Sequence, residues 1–377
     1  MKPVQPLVTL AVVIAAAIAV VSAQAPPRAS VPTIPFDAST DFLKITPDMN
    51  FGEVLGIAVN SKGHVVVLNH QGSTNAPLYG NASTQILEFD QAGKFLREIG
   101  KGVYGIGYSH SVRFDRYDNL WVVDKGTNAV VRFNPAGYVT LNLGRRPEGP
   151  DDPAEFYYRP GRREPPVHVD GMFRQPTDVA WDSDDNIYIS DGYTNSRVAK
   201  FDKRGAWVKS WGSRGSGGVH GDENPGQFNT PHSLAIDRQN NVYVADRGNR
   251  RIQVFDTDGK FLRMIHLNVP YDKTRHPVLG NLSPNPPDET APWTLCITGG
   301  PTQYLFTTDQ EPGRLYKLSL DGTIVGMLGE SGRDAKQFNW VHALACPSDE
   351  QVLVADMNNW RVQRLTLHAD RAKSSTP

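Results

Sequence analysis

Six stretches of fifteen residues recur along the chain, and they constrain its fold more than any other feature. They are Gly56–His70 (GIAVNSKGHVVVLNH), His110–Asp124 (HSVRFDRYDNLWVVD), Thr177–Asp191 (TDVAWDSDDNIYISD), His232–Asp246 (HSLAIDRQNNVYVAD), Leu295–Asp309 (LCITGGPTQYLFTTD) and His342–Asp356 (HALACPSDEQVLVAD). Each holds a short apolar run, a polar turn, a β-branched or aromatic run, and an aspartate or equivalent polar residue at the end. That pattern reads as two antiparallel strands joined by a tight turn. Most copies continue with a third alternating strand ending in Phe-Asp or similar: Phe89-Asp90, Phe133-Asn134, Phe201-Asp202 and Phe255-Asp256. A glycine follows (Gly93, Gly137, Gly205, Gly259), then a fourth strand such as Lys94–Ile99 or Lys260–Ile265. Four short strands per unit, repeated six times at roughly 50-residue spacing, describe an all-β chain folded as a six-bladed β-propeller.

The unit resembles the NHL repeat. The last copy stops after Arg361–Leu367 and lacks a fourth strand of its own, whereas Asp41–Ile45 (DFLKI) resembles those fourth strands and has no blade. The N-terminal strand is therefore expected to complete the sixth blade and close the ring, removing two open sheet edges. Two long Pro-rich insertions, Arg145–Met172 and Val269–Pro292, interrupt the spacing and are too polar for a core, so they are expected as rim loops at one mouth of the channel.

Upstream, Lys2, the apolar run Leu7–Val21 and the small residues Ser22-Ala23-Gln24-Ala25 have the form of a signal peptide. The run is also about the shortest that could remain as an anchor. Either way the rest of the chain is exported, to the periplasm or outside the cell. The expected organisation is a signal peptide over 1–25, a linker over 26–40, the propeller over 41–368 and a disordered tail over 369–377. With 39 basic against 40 acidic side chains in 377 residues, net charge is −1, so no field favours nucleic acid or an anionic membrane surface. The chain is expected to be a monomer with no stable membrane insertion after cleavage. Cys296 and Cys346 are the two cysteines; export permits a disulfide, and their apolar strand contexts equally suit two buried thiols.

The first strand of each propeller blade lines the central channel. At the head of the repeat the six copies carry Gly56, His110, Thr177, His232, Leu295 and His342. Histidines in alternate copies lie about 120° apart at one depth. Three imidazoles converging on a channel, with a coordination position left open, suit a catalytic zinc ion. The turn after the second strand faces the same mouth and carries Asp191-Gly192-Tyr193 in copy three and Asp246-Arg247-Gly248 in copy four. An arginine there can hold a carboxylate, and a tyrosine beside a metal can act as a base.

The stretches PTDVAWDSDDNIYISDGYTNSRV (176–198) and GQFNTPHSLAIDRQNNVYVADRGNRRIQVF (226–255) resemble the peptidyl-α-hydroxyglycine α-amidating lyase family, and the likeness runs over roughly residues 50–367. By that resemblance His110, His232 and His342 would bind zinc, Tyr193 would be the base and Arg247 would position substrate. The implied substrate is a small peptide or similar α-hydroxy-amide, cleaved at its C–N bond to an amide and glyoxylate. The sequence also departs from the family. A second arginine, expected at the end of the second strand of the first blade, is replaced by His70, a candidate for the same substrate-binding task. A calcium ion held in the family by two backbone carbonyls, matching Ile57 and Val112, lacks its aspartate because Ala343 stands there; backbone alone is a weak site for a hard cation. Thr194 stands where a family disulfide cysteine would be, and no hydroxylase module accompanies the propeller in this sequence. The competing readings are a non-catalytic NHL propeller that binds a protein or glycan, and a lactonase-like metal-dependent hydrolase. The latter class uses carboxylates around calcium, and the ring has none at the head position.

Overall fold

In a computed structural model, the described residues are 31–71, 84–146, 168–215, 224–271, 290–309 and 313–368. The stretch expected to be a signal peptide, most of both insertions and the residues beyond 368 lie outside them. The described chain is all-β apart from two 3-10 turns at Arg247–Asn249 and Met357–Asn359. No helix among those residues is long and apolar enough to cross a membrane.

Six four-stranded antiparallel sheets form the blades. Their innermost strands are Glu53–Val59, Ser109–Phe114, Asp178–Trp181, Pro231–Ile236, Pro292–Ile297 and Val341–Ala345, for blades 1 to 6 in order. The sequence specifies the hairpins through its turn residues. Asp115, Asp182 and Asp237 each accept two backbone N–H groups across the first turn. The residue three further on, Asp118, Asp185 or Asn240, takes a left-handed φ of 60°, 67° or 63°, which Asp and Asn tolerate because their short polar side chains bond locally. The outer hairpin turns on Gly93, Gly137, Gly205 and Gly259, with φ of 84°, 92°, 89° and 83°, where a side chain would be strained. Apolar faces of neighbouring blades interdigitate: Leu68, Val112, Val122 and Phe133 pack between blades 1 and 2, and Phe306, Leu344, Val354 and Leu365 between blades 5 and 6. The sulfurs of Cys296 and Cys346 are bonded, with Cα atoms 6.0 Å apart, so a disulfide also ties blade 5 to blade 6.

An N-terminal strand does close the ring, but it is not Asp41–Ile45. Phe36–Ser39 pairs antiparallel with Arg361–Leu367, from Phe36 opposite Leu367 to Ser39 opposite Arg364. The assigned linker is corrected with it, since Thr33 already bridges to Met327 of blade 5. The reason is periodicity. Phe36 and Ala38 alternate inward onto the sixth-blade core, as an edge strand requires. Phe42 and Leu43 are adjacent and both buried, which a half-exposed strand cannot achieve. They plug the seam between blades 6 and 1, where they join a cluster with Val54, Phe89 and Leu353.

A chain starting at Asp41 keeps DFLKI but loses this ladder. Its melting midpoint, followed by circular dichroism, is expected to fall by at least about 5 °C. An unchanged midpoint would show that Asp41–Ile45 closes the ring after all.

Candidate metal centre and active site

In blades 2, 4 and 6 the register of the innermost strand slips at one point. The slips fall between Ser109 and Ser111, Pro231 and Ser233, and Val341 and Ala343. The extra residue in each bulge is a histidine: His110, His232 or His342. A bulge re-aims its side chain, here toward the axis. The rings meet with centroids 4.6 Å (His110–His232), 4.8 Å (His110–His342) and 5.1 Å (His232–His342) apart. Each can offer a nitrogen within 4.8 Å of the other two.

Intervening blades supply the orientation. His110 Nδ1 lies 2.7 Å from the carbonyl oxygen of Thr177, His232 Nδ1 2.8 Å from that of Trp293, and His342 Nδ1 2.7 Å from that of Leu55. A carbonyl can only accept, so each Nδ1 carries the proton and each Nε2 is left with a lone pair. Metal-ligating histidines are held in this way. His232 Nε2 is buried with no hydrogen-bond partner, an unmet need that a metal ion satisfies. Burial holds His110 and His232 well below the ordinary imidazole value, and His342 at about 3. The trio therefore stays neutral and able to ligate over a wide pH range.

These carbonyls also correct the ring. The head positions of blades 1 and 5 are filled not by Gly56 and Leu295 but by Leu55 and Trp293. In blade 1 the closing polar residue is Asn69, whose Oδ1 accepts the Gly52 N–H, so the window runs Leu55–Asn69. In blade 5 the bulge holds two residues between Pro292 and Leu295.

Tyr193 and Arg247 do meet the trio. The Tyr193 hydroxyl is 3.3 Å from His110 Nε2, and the Arg247 guanidinium lies 5.2 Å from the Tyr193 ring centre and 4.0 Å from that of Trp293. Burial alone would raise the Tyr193 hydroxyl, but Arg247 and Lys125 outweigh it and bring it below the ordinary phenol value. All open onto a cavity of about 570 Å³ whose lining includes Glu53, Tyr108, Lys125, Tyr193, Trp293 and Trp340.

His70 does not reach this cavity. It is 1% exposed, donates from Nε2 to the Ser109 carbonyl at 2.9 Å and stacks under Tyr108 with ring centres 4.3 Å apart. The substrate-binding task assigned to it is withdrawn. Lys125 lines the cavity instead. The residue is legible in hindsight: Asp124-Lys125-Gly126 stands at the same repeat offset as Asp246-Arg247-Gly248.

Val112 and Ala343, two positions of the expected calcium site, line a small pocket together with the histidines and Arg113. Just below the histidines the Arg113 guanidinium occupies the axis. It forms a two-point ion pair with Asp178 (3.0 and 2.7 Å) and donates to Ser233 Oγ and the carbonyls of Leu295 and Leu344. Its partners come from blades 3 to 6, so a cation supplied by the chain itself ties these strands together. The same network lies beside the three histidines, around a small pocket that they share with Arg113, Asp178 and Ser233.

Comparison with known proteins agrees with this architecture. The NHL repeat matches residues 173–201 and 228–255. A mouse protein named peptidyl-glycine alpha-amidating monooxygenase is 29% identical over 345 residues, covering 85% of this chain and 31% of its own length. The chain thus spans about a third of that relative. A Drosophila melanogaster protein named peptidyl-alpha-hydroxyglycine alpha-amidating lyase 1 is 24% identical over 350 residues, covering 86% of this chain and 59% of its own. The crystal structure of virginiamycin B lyase from Staphylococcus aureus superposes with a TM-score of 0.54 at 15% identity, covering 89% of this chain and all of that one, a likeness of fold alone. Fold and site define a six-bladed NHL-repeat propeller with three buried histidines meeting on its axis. The chain is similar to proteins named as peptidyl-alpha-hydroxyglycine alpha-amidating lyases, at 28% and 24% identity, and it carries NHL repeats.

Purified protein is expected to carry about one divalent metal per chain, and His232→Ala to carry none, by elemental analysis; equal loading of both would remove the trio as the site. Stability of the metal-free protein should depend on pH. Burial depresses His70 to about 4 and His342 to about 3, so unfolded chains bind more protons than folded ones below pH about 6.5. Their contribution is present above that pH and is lost as pH falls toward 4. A melting midpoint that stays flat from pH 7 to pH 4.5 contradicts this.

Proposed function

We propose that this protein is an exported, zinc-dependent carbon–nitrogen lyase that splits a peptidyl-α-hydroxyglycine, or a similar α-hydroxy-amide, into an amide and glyoxylate. The reading is carried by one observation: three Nε2 lone pairs, each fixed by an Nδ1–H to carbonyl bond, converge beneath a cavity in which two cations flank a tyrosine hydroxyl. The relatives named as amidating lyases support the reaction class. The disulfide supports an oxidising compartment.

His110, His232 and His342 would hold the metal, which supplies a Lewis acid that lowers the pKa of a hydroxyl presented to it. Three neutral imidazoles suit zinc among the common divalent ions. Tyr193, kept acidic by Arg247 and Lys125, takes the hydroxyl proton as its phenolate. The O–H electron pair becomes the aldehyde C=O of glyoxylate as the C–N bond breaks. Tyr193 then returns the proton to the departing amide nitrogen, so atoms and charge balance. Trp293 and Trp340, with ring centres 5.2 Å apart, form an apolar wall against which the remainder of the peptide can lie.

Glyoxylate release from a synthetic α-hydroxyglycine peptide is the direct assay. Metal-loaded protein that releases none rules the reading out. Tyr193→Phe is expected to retain its metal and lose about 10²–10⁴-fold in kcat; an unchanged rate excludes Tyr193 as the base.

A further inference from the structure

Four arginines, buried in whole or in part, are matched to carboxylates. Arg113 pairs with Asp178, Arg197 with Asp191, Arg251 with Asp246 and Arg314 with Asp309, at 2.7 to 3.1 Å. Lys125 and Arg247 are the exceptions in the cavity. Neither forms an ion pair with a carboxylate among those residues. Asp124, next to Lys125, is fully used: it accepts from Gly107 N, Ser109 Oγ, Thr127 N and Thr127 Oγ1. Glu53 is the one carboxylate in the cavity lining, against Lys125 and Arg247. Two cations against one anion leave this side of the pocket positive, which favours a negatively charged ligand.

Lys125 is also held in place. Its Nζ lies 5.0 Å from the Tyr108 ring centre and 4.6 Å from that of Tyr193, so two aromatic rings flank it by cation–π contact. Tyr108 is backed in turn by the buried ring of His70. Arg247 approaches Tyr193 from blade 4 while Lys125 approaches from blade 2, one blade to either side of it. A carboxylate lying across Tyr193 would meet an ammonium on one side and a guanidinium on the other.

We propose that Lys125 is a substrate-binding residue: with Arg247 it forms a two-cation clamp for a ligand carboxylate next to the metal centre, and the stack His70–Tyr108–Lys125 sets its position. The inference rests on the proposed lyase reading for the identity of the substrate, but the clamp itself requires only a carboxylate-bearing acyl-glycine. His70 thus serves the site indirectly, as a prop for Tyr108.

Isothermal titration of the metal-loaded protein with N-benzoylglycine, and with the same compound carrying a carboxamide in place of the carboxylate, tests it. Wild type should prefer the acid. Lys125→Met, which keeps the stem and loses the charge, should lower that preference by about tenfold, and Lys125→Arg should restore most of it. In glyoxylate release the Met variant should raise KM more than it lowers kcat. A wild type without preference for the acid, or a Met variant that keeps the full preference, overturns the clamp. Should Lys125→Met fail to fold, Lys125→Gln and the wild-type comparison stand in for it. Glyoxylate release with an unaltered preference in the variant sinks the clamp and leaves the lyase reading intact. Loss of preference in a protein that releases no glyoxylate leaves the clamp and sinks the lyase reading.

Discussion

The turn that follows the second strand in blades 2 to 6 is held by one buried carboxylate, and the working face of the propeller depends on that arrangement. Asp191, Asp246 and Asp356 each accept a backbone N–H from the loop entering their own blade, from Arg174, Asn229 and Asn339 at 2.7 to 2.8 Å. Each also receives the Nε–H of an arginine on the third strand: Arg197, Arg251 or Arg361. Entry loop, second strand and third strand are thereby fixed to one point. Charges buried this deeply cost desolvation, so their worth lies more in specifying a conformation than in net stability. What they specify is useful. Arg247 directly follows Asp246, Tyr193 lies one residue beyond the neighbour of Asp191, and Lys125 directly follows Asp124, the buried carboxylate of blade 2. A flexible turn could not hold two cations beside a phenol, since their mutual repulsion would drive them into solvent.

The histidines rely on a second device, shared between neighbouring blades. Bulges in five inner strands, and the residue just before the strand in blade 3, reach the axis, and the blades alternate in what they contribute there. Blades 2, 4 and 6 give an imidazole; blades 3, 5 and 1 give the carbonyl that receives its Nδ1–H. Neither half is informative alone. A bulged carbonyl is an unsatisfied acceptor, and a buried imidazole is an unsatisfied donor and acceptor. Together they satisfy every donor and leave three lone pairs directed to one place. The Phe36–Ser39 strand that closes the ring matters to chemistry for this reason, because His342 in the last blade takes its orienting bond from Leu55 in the first.

Much of this was legible in the sequence, and what was not has identifiable causes. The repeat carried the blade count, and the shared offset of His110, His232 and His342 carried the trio, because a propeller turns sequence offset into position about its axis. Tyr193 and Arg247 followed from the turn they share. Counting failed where the repeat had drifted. Blade 1 has Asn69 in place of the aspartate, so His70 was taken for the closing residue and every position in that blade moved by one. Blade 5 has one extra residue in the bulge of its first strand and another, Thr308, before Asp309, so the common repeat offset from Asp309 stops at Leu295, short of Trp293. Bulges leave no trace in composition or period, so the device that aims the histidines could not be foreseen. Arg113 was invisible for a different reason: its partners Asp178, Ser233, Leu295 and Leu344 are scattered over nearly half the sequence and become neighbours only on the axis. Lys125 was visible by offset and was passed over because blade 2 was read for its histidine alone.

The charges near the cavity share one purpose. The three ligand side chains are neutral, and no carboxylate joins them among the described residues. The nearest fixed charges on the open side are Lys125 and Arg247, and that beneath is Arg113, already neutralised by Asp178. Indole N–H groups of Trp293 and Trp340 are buried without partners in the same wall. A site made of donors and cations gives a cation little welcome unless three lone pairs hold it. It stabilises every form of negative charge: a phenolate at Tyr193, a carboxylate laid across it, and an oxygen losing its proton above the histidines. Glu53 is the one lining group of opposite sign, and its Oε2 is buried without a partner. It stands on blade 1, beside the lysine of blade 2 and across the axis from Arg247 of blade 4, so the field is directional, and an anionic ligand end is driven to the Lys125–Arg247 side of the pocket rather than to its centre.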